Sequence, residues 1–504
     1  MVMSSIHQLL RYVCFLLVTL KGAAQAPVVK ISQGYIKGVH ENGIAVFKGI
    51  PYVQPPVGSL RYQPPVAHQP WNDTLSAVQF AEAALQPAGT AVTGSEDDLY
   101  LNLYTPGIDN RKRPVVIWIH GGGMTAGTGK SNDGHAFADP DDIVTITINY
   151  RLGALGFLYL GDLDKKYRSS GNLGLLDVIA ALQWVHENIA IFGGDPNRVT
   201  VMGESAGAKL LSAVMVAPAS QGLFQQAILE SGAVQCIRDT GTAKKARTLL
   251  LQQLGLRPDQ TRQLLTMRAD ILIKAQAKVC DGIGGNSFFG PVYDGLTILE
   301  EGYQYAREGK LSGIHVLIGT NENEGATFIG KNDRRSDPNT SVFQPLFRSN
   351  APMANAYYRT QLQTDSPYAA MVRTLTQYMY QMHAYRFAEA LSGAGTPVYL
   401  YRYQYQKGRE LGARHGDELY YIWGAAQILA SNDDAAKKQL AQSLHGAWAA
   451  FIRTGDPNGD YLLQWPKYSA TDRQVMIFND VDSVVRLKEV YNDKYFPSAV
   501  FVIK

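Results

Sequence analysis

Only three cysteines occur in 504 residues, too few for a disulfide framework. Nor does the chain contain H-E-x-x-H, a paired C-x-x-C or an EF-hand loop, so a metal mechanism has no ligand set to point at, and no cofactor is expected. Charge of one sign is not in excess. Lys and Arg total 47 against 44 Asp and Glu, a formal balance of +3, and no basic stripe forms, which argues against nucleic acid as a partner. No Ser/Gly-rich or Pro-rich tether, charge block or internal repeat divides the chain, so residues 25–504 are expected to form one domain. Gly129-Lys130-Ser131 looks like the end of a phosphate loop, but Met124 stands where that motif needs glycine.

Long hydrophobic runs are also missing. The longest is Tyr12-Val13-Cys14-Phe15-Leu16-Leu17-Val18-Thr19-Leu20, far short of the ~20 apolar residues of a membrane span, so none is expected. Preceded by Arg11 and followed by Gly22-Ala23-Ala24, it has the pattern of a secretory signal over residues 1–24, cut after Ala24. A secreted or periplasmic protein is expected. Cleavage removes Cys14 and leaves Cys236 and Cys280 as an even pair in an oxidising compartment, where a bridge between them is predicted. Closing that loop would stabilise the fold by roughly 4 kcal/mol.

Glycine is plentiful, and its placement is informative. Gly203-Glu204-Ser205-Ala206-Gly207 follows the strand-like run Arg198-Val199-Thr200-Val201-Met202 and precedes the helix-like Ala208-Lys209-Leu210-Leu211-Ser212-Ala213-Val214-Met215. Two glycines at this spacing let a sharp strand-to-helix turn present a serine hydroxyl, with the helix start directing free N–H groups toward it.

A serine hydroxyl is a poor nucleophile until an imidazole takes its proton and a carboxylate orients that imidazole. In parallel sheets such groups come from loops at the carboxyl ends of strands, and a nucleophile on this kind of turn has its acid and histidine downstream. Ile314-His315-Val316-Leu317-Ile318-Gly319 reads as a buried strand that empties into Thr320-Asn321-Glu322-Asn323-Glu324-Gly325, so Glu322 or Glu324 is the acid. Pro397-Val398-Tyr399-Leu400-Tyr401-Arg402-Tyr403 reads as another strand, and the loop after it contains Arg414-His415-Gly416-Asp417-Glu418; His415 is the candidate base. Upstream, the apolar strand Pro114-Val115-Val116-Ile117-Trp118-Ile119 runs into His120-Gly121-Gly122-Gly123. Bare glycine amides there, with the Ala206 N–H, form a candidate cradle for an oxyanion.

With these pieces together the chain resembles the type-B carboxylesterases, an α/β-hydrolase family that includes cholinesterases, some fungal lipases and the non-catalytic neuroligins. The matches begin at Phe47-Lys48-Gly49-Ile50-Pro51-Tyr52 and continue through Glu96-Asp97-Asp98-Leu99-Tyr100-Leu101-Asn102, Asn149-Tyr150-Arg151-Leu152-Gly153 and Phe192-Gly193-Gly194-Asp195-Pro196. Downstream of the serine they include Gly290-Pro291-Val292-Tyr293-Asp294-Gly295 and Thr454-Gly455-Asp456-Pro457-Asn458. The resemblance implies an α/β-hydrolase fold, a central, mostly parallel sheet flanked by helices, with helical insertions around the site and a helix-rich segment near 340–392. It implies Ser205 as nucleophile, His415 as base and Glu324, which directly precedes a glycine, as acid. The oxyanion donors become the N–H groups of Gly122, Gly123 and Ala206, and Glu204 stands where a carboxylate adjusts the field at the nucleophile.

The activity so implied is hydrolysis of carboxylic esters, short- or medium-chain acyl or aryl esters, through an acyl-enzyme, with Met124, Phe288 and Phe289 as candidate walls of an apolar acyl pocket. A neuroligin-like binding module is the alternative from another class, and it requires a missing nucleophile; a cholinesterase- or lipase-type specificity is the alternative within the enzymes. The departures narrow specificity. The family often has cysteine where this chain has Asp98, and residues 72–97 lack the tryptophan with which cholinesterases hold choline, so choline esters and interfacial lipid activation are disfavoured. Glu230 stands where glutamine is common.

Overall fold

The computed structural model describes residues 25–282, 285, 288–337, 343–406, 408–432, 434–459, 462–487 and 493–495. The expected signal, residues 1–24, lies outside the described residues. Eleven strands form the main sheet: β1 (Val39–Glu41), β2 (Ile44–Pro51), β3 (Tyr100–Thr105), β4 (Arg113–Ile119), β5 (Val144–Ile148), β6 (Gly194–Glu204), β7 (Gln226–Glu230), β8 (His315–Asn321), β9 (Val398–Tyr403), β10 (Gln474–Phe478) and β11 (Ser483–Arg486). Their spatial order is 11-10-9-8-7-6-4-5-3-2-1. The seven from β10 to β5 pair in parallel, while the strands outside them run antiparallel. The apolar runs on either side of the motifs are these central strands, and every residue of β4, β5 and β7 is buried. Continuous rather than alternating hydrophobicity is what a parallel strand covered on both faces requires.

Alternate residues of one strand feed different cores. Val115, Ile117 and Ile119 join one cluster with Val201, Leu229 and Ile318. Val116 and Trp118 point the other way, into a cluster with Met202, Ile228, Leu317 and Tyr401. The period-2 geometry of a strand produces this division. Helix α1 (Leu173–Asn188) and helix α2 (Ala206–Met215) pack their apolar residues into the first cluster. The long helix α6 (Ala435–Thr454) covers the second. The apolarity of α1 is that of a core helix.

Between β8 and β9 the chain builds α3 (Ala351–Gln361), α4 (Pro367–Thr376), a π-helical turn over Gln377–Gln381 and α5 (Met382–Gly393). Most of this segment packs on its own aromatic cluster, with Phe347, Tyr358, Tyr378 and Tyr380 buried among Met371, Val372 and Leu375. It is tied to the sheet at Gly325, whose N–H donates to Thr376 Oγ1 at 3.0 Å. A Cβ on Gly325 would lie 2.4 Å from the Val372 carbonyl oxygen, which explains why the acidic loop needs glycine there.

One expectation is corrected. Cys236 and Cys280 are free thiols. Cys236, buried in the turn after β7, directs its Sγ to the Lys209 carbonyl of α2 at 3.3 Å. That contact turns the thiol toward the helix that follows Ser205.

Candidate active site

At the end of β6 the backbone turns sharply. Ser205 has φ 55° and ψ −118°, a conformation costly for a residue with a side chain, and its N–H is held by the Glu230 carbonyl of β7 at 2.8 Å. The flanking glycines make the turn possible. A Cβ on Gly207 would sit 2.0 Å from the Ile119 carbonyl oxygen, and one on Gly203 would sit 2.7 Å from the Gly207 carbonyl carbon. Strand and helix therefore cross at backbone contact, with the serine at the crossing.

The loops after β8 and β9 bring two further side chains to it. Ser205 Oγ lies 2.8 Å from His415 Nε2, and His415 Nδ1 lies 2.5 Å from Glu324 Oε2. The other oxygen of Glu324 accepts from the Ser231 hydroxyl at 2.5 Å and from the Asn321 N–H at 2.8 Å, so the carboxylate is held on both oxygens and is fully buried. Glu322 goes elsewhere, to Arg402 at 3.3 Å and Gln404 at 3.1 Å. This arrangement can accept a proton from the serine hydroxyl and stabilise the imidazolium that results.

Glu204 adds a second carboxylate to the same imidazole. Its Oε1 is 3.2 Å from His415 Nε2. Burial pulls the His415 pKa down, but Glu204, Glu324 and the hydrogen bond to Glu324 outweigh it and hold the imidazole at about 9. Burial raises the Glu204 pKa against the pull of His415. Glu230, for which the sequence offered no role, is fully buried; Trp448 Nε1–H donates to its Oε1 at 2.6 Å, and burial pushes its carboxyl well above the ordinary range.

The glycine loop after β4 lies directly against the serine turn. A Cβ on Gly121 would sit 2.6 Å from Glu204 Oε2 and 3.3 Å from Ser205 Cβ. Gly122 and Gly123 have φ of 109° and 64°, the left-handed region that favours glycine. Among the described residues no protein acceptor takes the N–H groups of Gly122, Gly123 or Ala206. His120 stacks on Tyr150 at 4.5 Å, and burial lowers its pKa to about 4, so the loop begins on a neutral ring.

Met124, Phe288 and Phe289 are buried in the main core, the two rings edge to face at 4.9 Å. Neither phenylalanine makes a ring contact with His415 among the described residues. The rings that do are Tyr380, stacked at 4.5 Å, and Phe328, tilted at 5.4 Å. The Tyr380 hydroxyl is 3.3 Å from His415 Nε2. Tyr380 carried no signal in the sequence beyond an aromatic-rich helical stretch, and a π-turn places it here, a feature frequent at functional sites. Ser231 was equally silent, though it directly follows a buried strand.

The carboxylesterase family model matches residues 25–495. The chain is 34% identical to the para-nitrobenzyl esterase of Bacillus subtilis, over 94% of this chain and 99% of that one. It is 32% identical to the phenmedipham hydrolase of Pseudarthrobacter oxydans, over 90% and 95%. Among solved structures, a carboxylesterase of Geobacillus stearothermophilus superposes with a TM-score of 0.80 at 35% identity, over 91% of this chain and 97% of that one. Sheet order, serine turn and full-length similarity agree: the chain is a carboxylic ester hydrolase and belongs to the carboxylesterase family.

Proposed function

We propose that this carboxylesterase works through an acyl-enzyme on Ser205, with His415 as general base and Glu324 as its orienting acid, and that its substrates are short- to medium-chain acyl esters and aryl esters. The observation that supports this reading most is the unbroken line from Ser205 Oγ through the imidazole to a carboxylate clamped on both oxygens. In the first half-reaction Ser205 Oγ attacks the ester carbonyl carbon as His415 Nε2 takes its proton. Negative charge collects on the carbonyl oxygen, where the N–H groups of Gly122, Gly123 and Ala206 receive it; one such donor is typically worth ~10²–10³ in rate. The proton then passes from Nε2 to the departing alcohol oxygen, and water repeats the sequence on the acyl-enzyme.

The para-nitrobenzyl esterase relative supports an aromatic group on the alcohol side. The decisive assay compares p-nitrophenyl acetate, butyrate and octanoate, phenyl acetate and a choline ester on the wild type and Ser205→Ala. The serine reading expects a loss of at least ~10³-fold in kcat/KM. Equal rates in both proteins would overturn it, and choline ester as the fastest substrate would overturn the specificity. Secretion or periplasmic export through residues 1–24 is part of the same proposal, tested by whether the mature protein outside the cytoplasm begins at Gln25.

A further inference from the structure

The nucleophile helix carries a charge that the proposed mechanism does not use. Lys209 lies one turn after Ser205 in α2, whose other side chains are apolar apart from Ser212. It is only 6% exposed, and its Nζ stands over the Tyr380 ring, 4.7 Å from the centroid. Among the described residues Lys209 makes no ion pair, and its Nζ donates no hydrogen bond, yet the ammonium is not sealed from solvent-accessible space.

None of the groups around it pairs with the ammonium directly. Burial pushes the Cys236 thiol up to about 12, so that neighbour is neutral. Burial, and then the charge of Lys209 itself, push His383 down to about 3, so that ring is neutral as well. Tyr380 is held as the phenol, its pKa raised chiefly by burial. The carboxylates whose field Lys209 feels, Glu204 and Glu324, are both committed to His415. A buried ammonium whose one direct contact is a π face is incompletely compensated by carboxylates engaged elsewhere, and burial pulls its pKa down against their field. A lysine that served only packing would be replaceable by methionine at this apolar position. Its position also matters, because the Tyr380 ring whose face it covers stacks on His415 at 4.5 Å and places its hydroxyl 3.3 Å from His415 Nε2. The cation is thus one tyrosine ring away from the reacting centre.

We propose that Lys209 is a substrate-recognition residue that supplies the counter-charge for an anionic group, a carboxylate above all, on the ester being hydrolysed. Half esters of dicarboxylic acids, or esters of carboxylated alcohols, are the substrate class so selected. Three N–H donors on a compact ammonium suit a carboxylate, and a hydrogen bond to a charged partner is worth enough to change discrimination ~10-fold or more. The inference rests on the serine carboxylesterase reading and deepens its substrate class.

The test compares kcat/KM for anionic and neutral esters in the wild type, Lys209→Met and Lys209→Arg. p-Nitrophenyl hydrogen glutarate against p-nitrophenyl valerate probes an anion on the acyl side; 4-carboxyphenyl acetate against phenyl acetate probes the alcohol side. On one of the two sides the anionic-to-neutral ratio is expected to fall at least ~10-fold in Lys209→Met, chiefly through KM, and to recover in part in Lys209→Arg. Ratios unchanged within twofold on both sides overturn the inference while leaving the esterase reading intact, since that reading is judged separately by Ser205→Ala on neutral esters. A measurement on the wild type alone stands even if the methionine variant fails to fold. Glutarate is expected to inhibit neutral ester turnover competitively and glutaramide is not; equal effects, or none from either, count against Lys209.

Discussion

Glu204 Oε1 approaches His415 Nε2 to 3.2 Å, on the same ring nitrogen that lies 2.8 Å from Ser205 Oγ. A carboxylate on that nitrogen favours the imidazolium, which in the proposed mechanism is the state formed during attack but is useless as a base beforehand. Burial lowers the His415 pKa, and Glu204 is the largest influence opposing it. The acid limb of kcat/KM in the wild type is therefore expected to extend above the range of an ordinary imidazole. Glu204→Gln removes that anion, lowers the His415 pKa and frees the base at lower pH, moving the limb down by about 1–3 pH units. A limb that stays put or moves up would exclude this coupling; a pH profile of both proteins decides.

Ser231 is expected to matter without touching substrate. Its hydroxyl is one of two donors on Glu324 Oε1, the other being the Asn321 N–H. Ser231→Ala should cost ~1–3 kcal/mol of stability by leaving a buried oxygen short of a partner. By loosening the carboxylate it should also lower kcat, by up to ~10²-fold, with little change in KM. Steady-state kinetics and chemical denaturation together test this, and a change in KM alone would contradict the positioning role.

The free thiols make a redox prediction. With Cys236 and Cys280 unbridged, the melting temperature should not change on adding dithiothreitol, and thiol titration of the denatured mature chain should find both cysteines without prior reduction. A reductant-dependent melting temperature would show that they pair.

Glycines in this chain differ in what they tolerate. At Gly207 a methyl group meets the Ile119 backbone at 2.0 Å, so Gly207→Ala should cost at least ~3 kcal/mol and abolish activity. At Gly446, inside α6, nothing lies within 4 Å of the added carbon, and Gly446→Ala should stabilise by ~0.5–1 kcal/mol. Thermal denaturation of the pair checks both signs.

Much of the frame was legible because it depends on local order. Apolar runs 114–119, 314–319 and 397–403 became β4, β8 and β9 to within one or two residues, since a strand buried on both faces must be apolar throughout. The serine turn was legible because only glycine fits where backbone meets backbone. The choice of Glu324 over Glu322 was not available from spacing, as both leave the same strand end. It came from the resemblance, and in the fold Glu322 turns to Arg402. Tyr380, Ser231 and the Trp448 contact of Glu230 escaped altogether, because each joins segments far apart in the chain.

The amino-acid order alone determined that a glycine-flanked serine turn, a bare-amide loop and two downstream polar loops exist, since each is set by glycine placement and hydrophobic period within a dozen residues. Tertiary structure alone decided which side chains share an imidazole, which thiol faces which carbonyl, and which lysine is buried without a direct ion pair. Those outcomes are distances between elements, and only the packing of the whole sheet and its helices sets them.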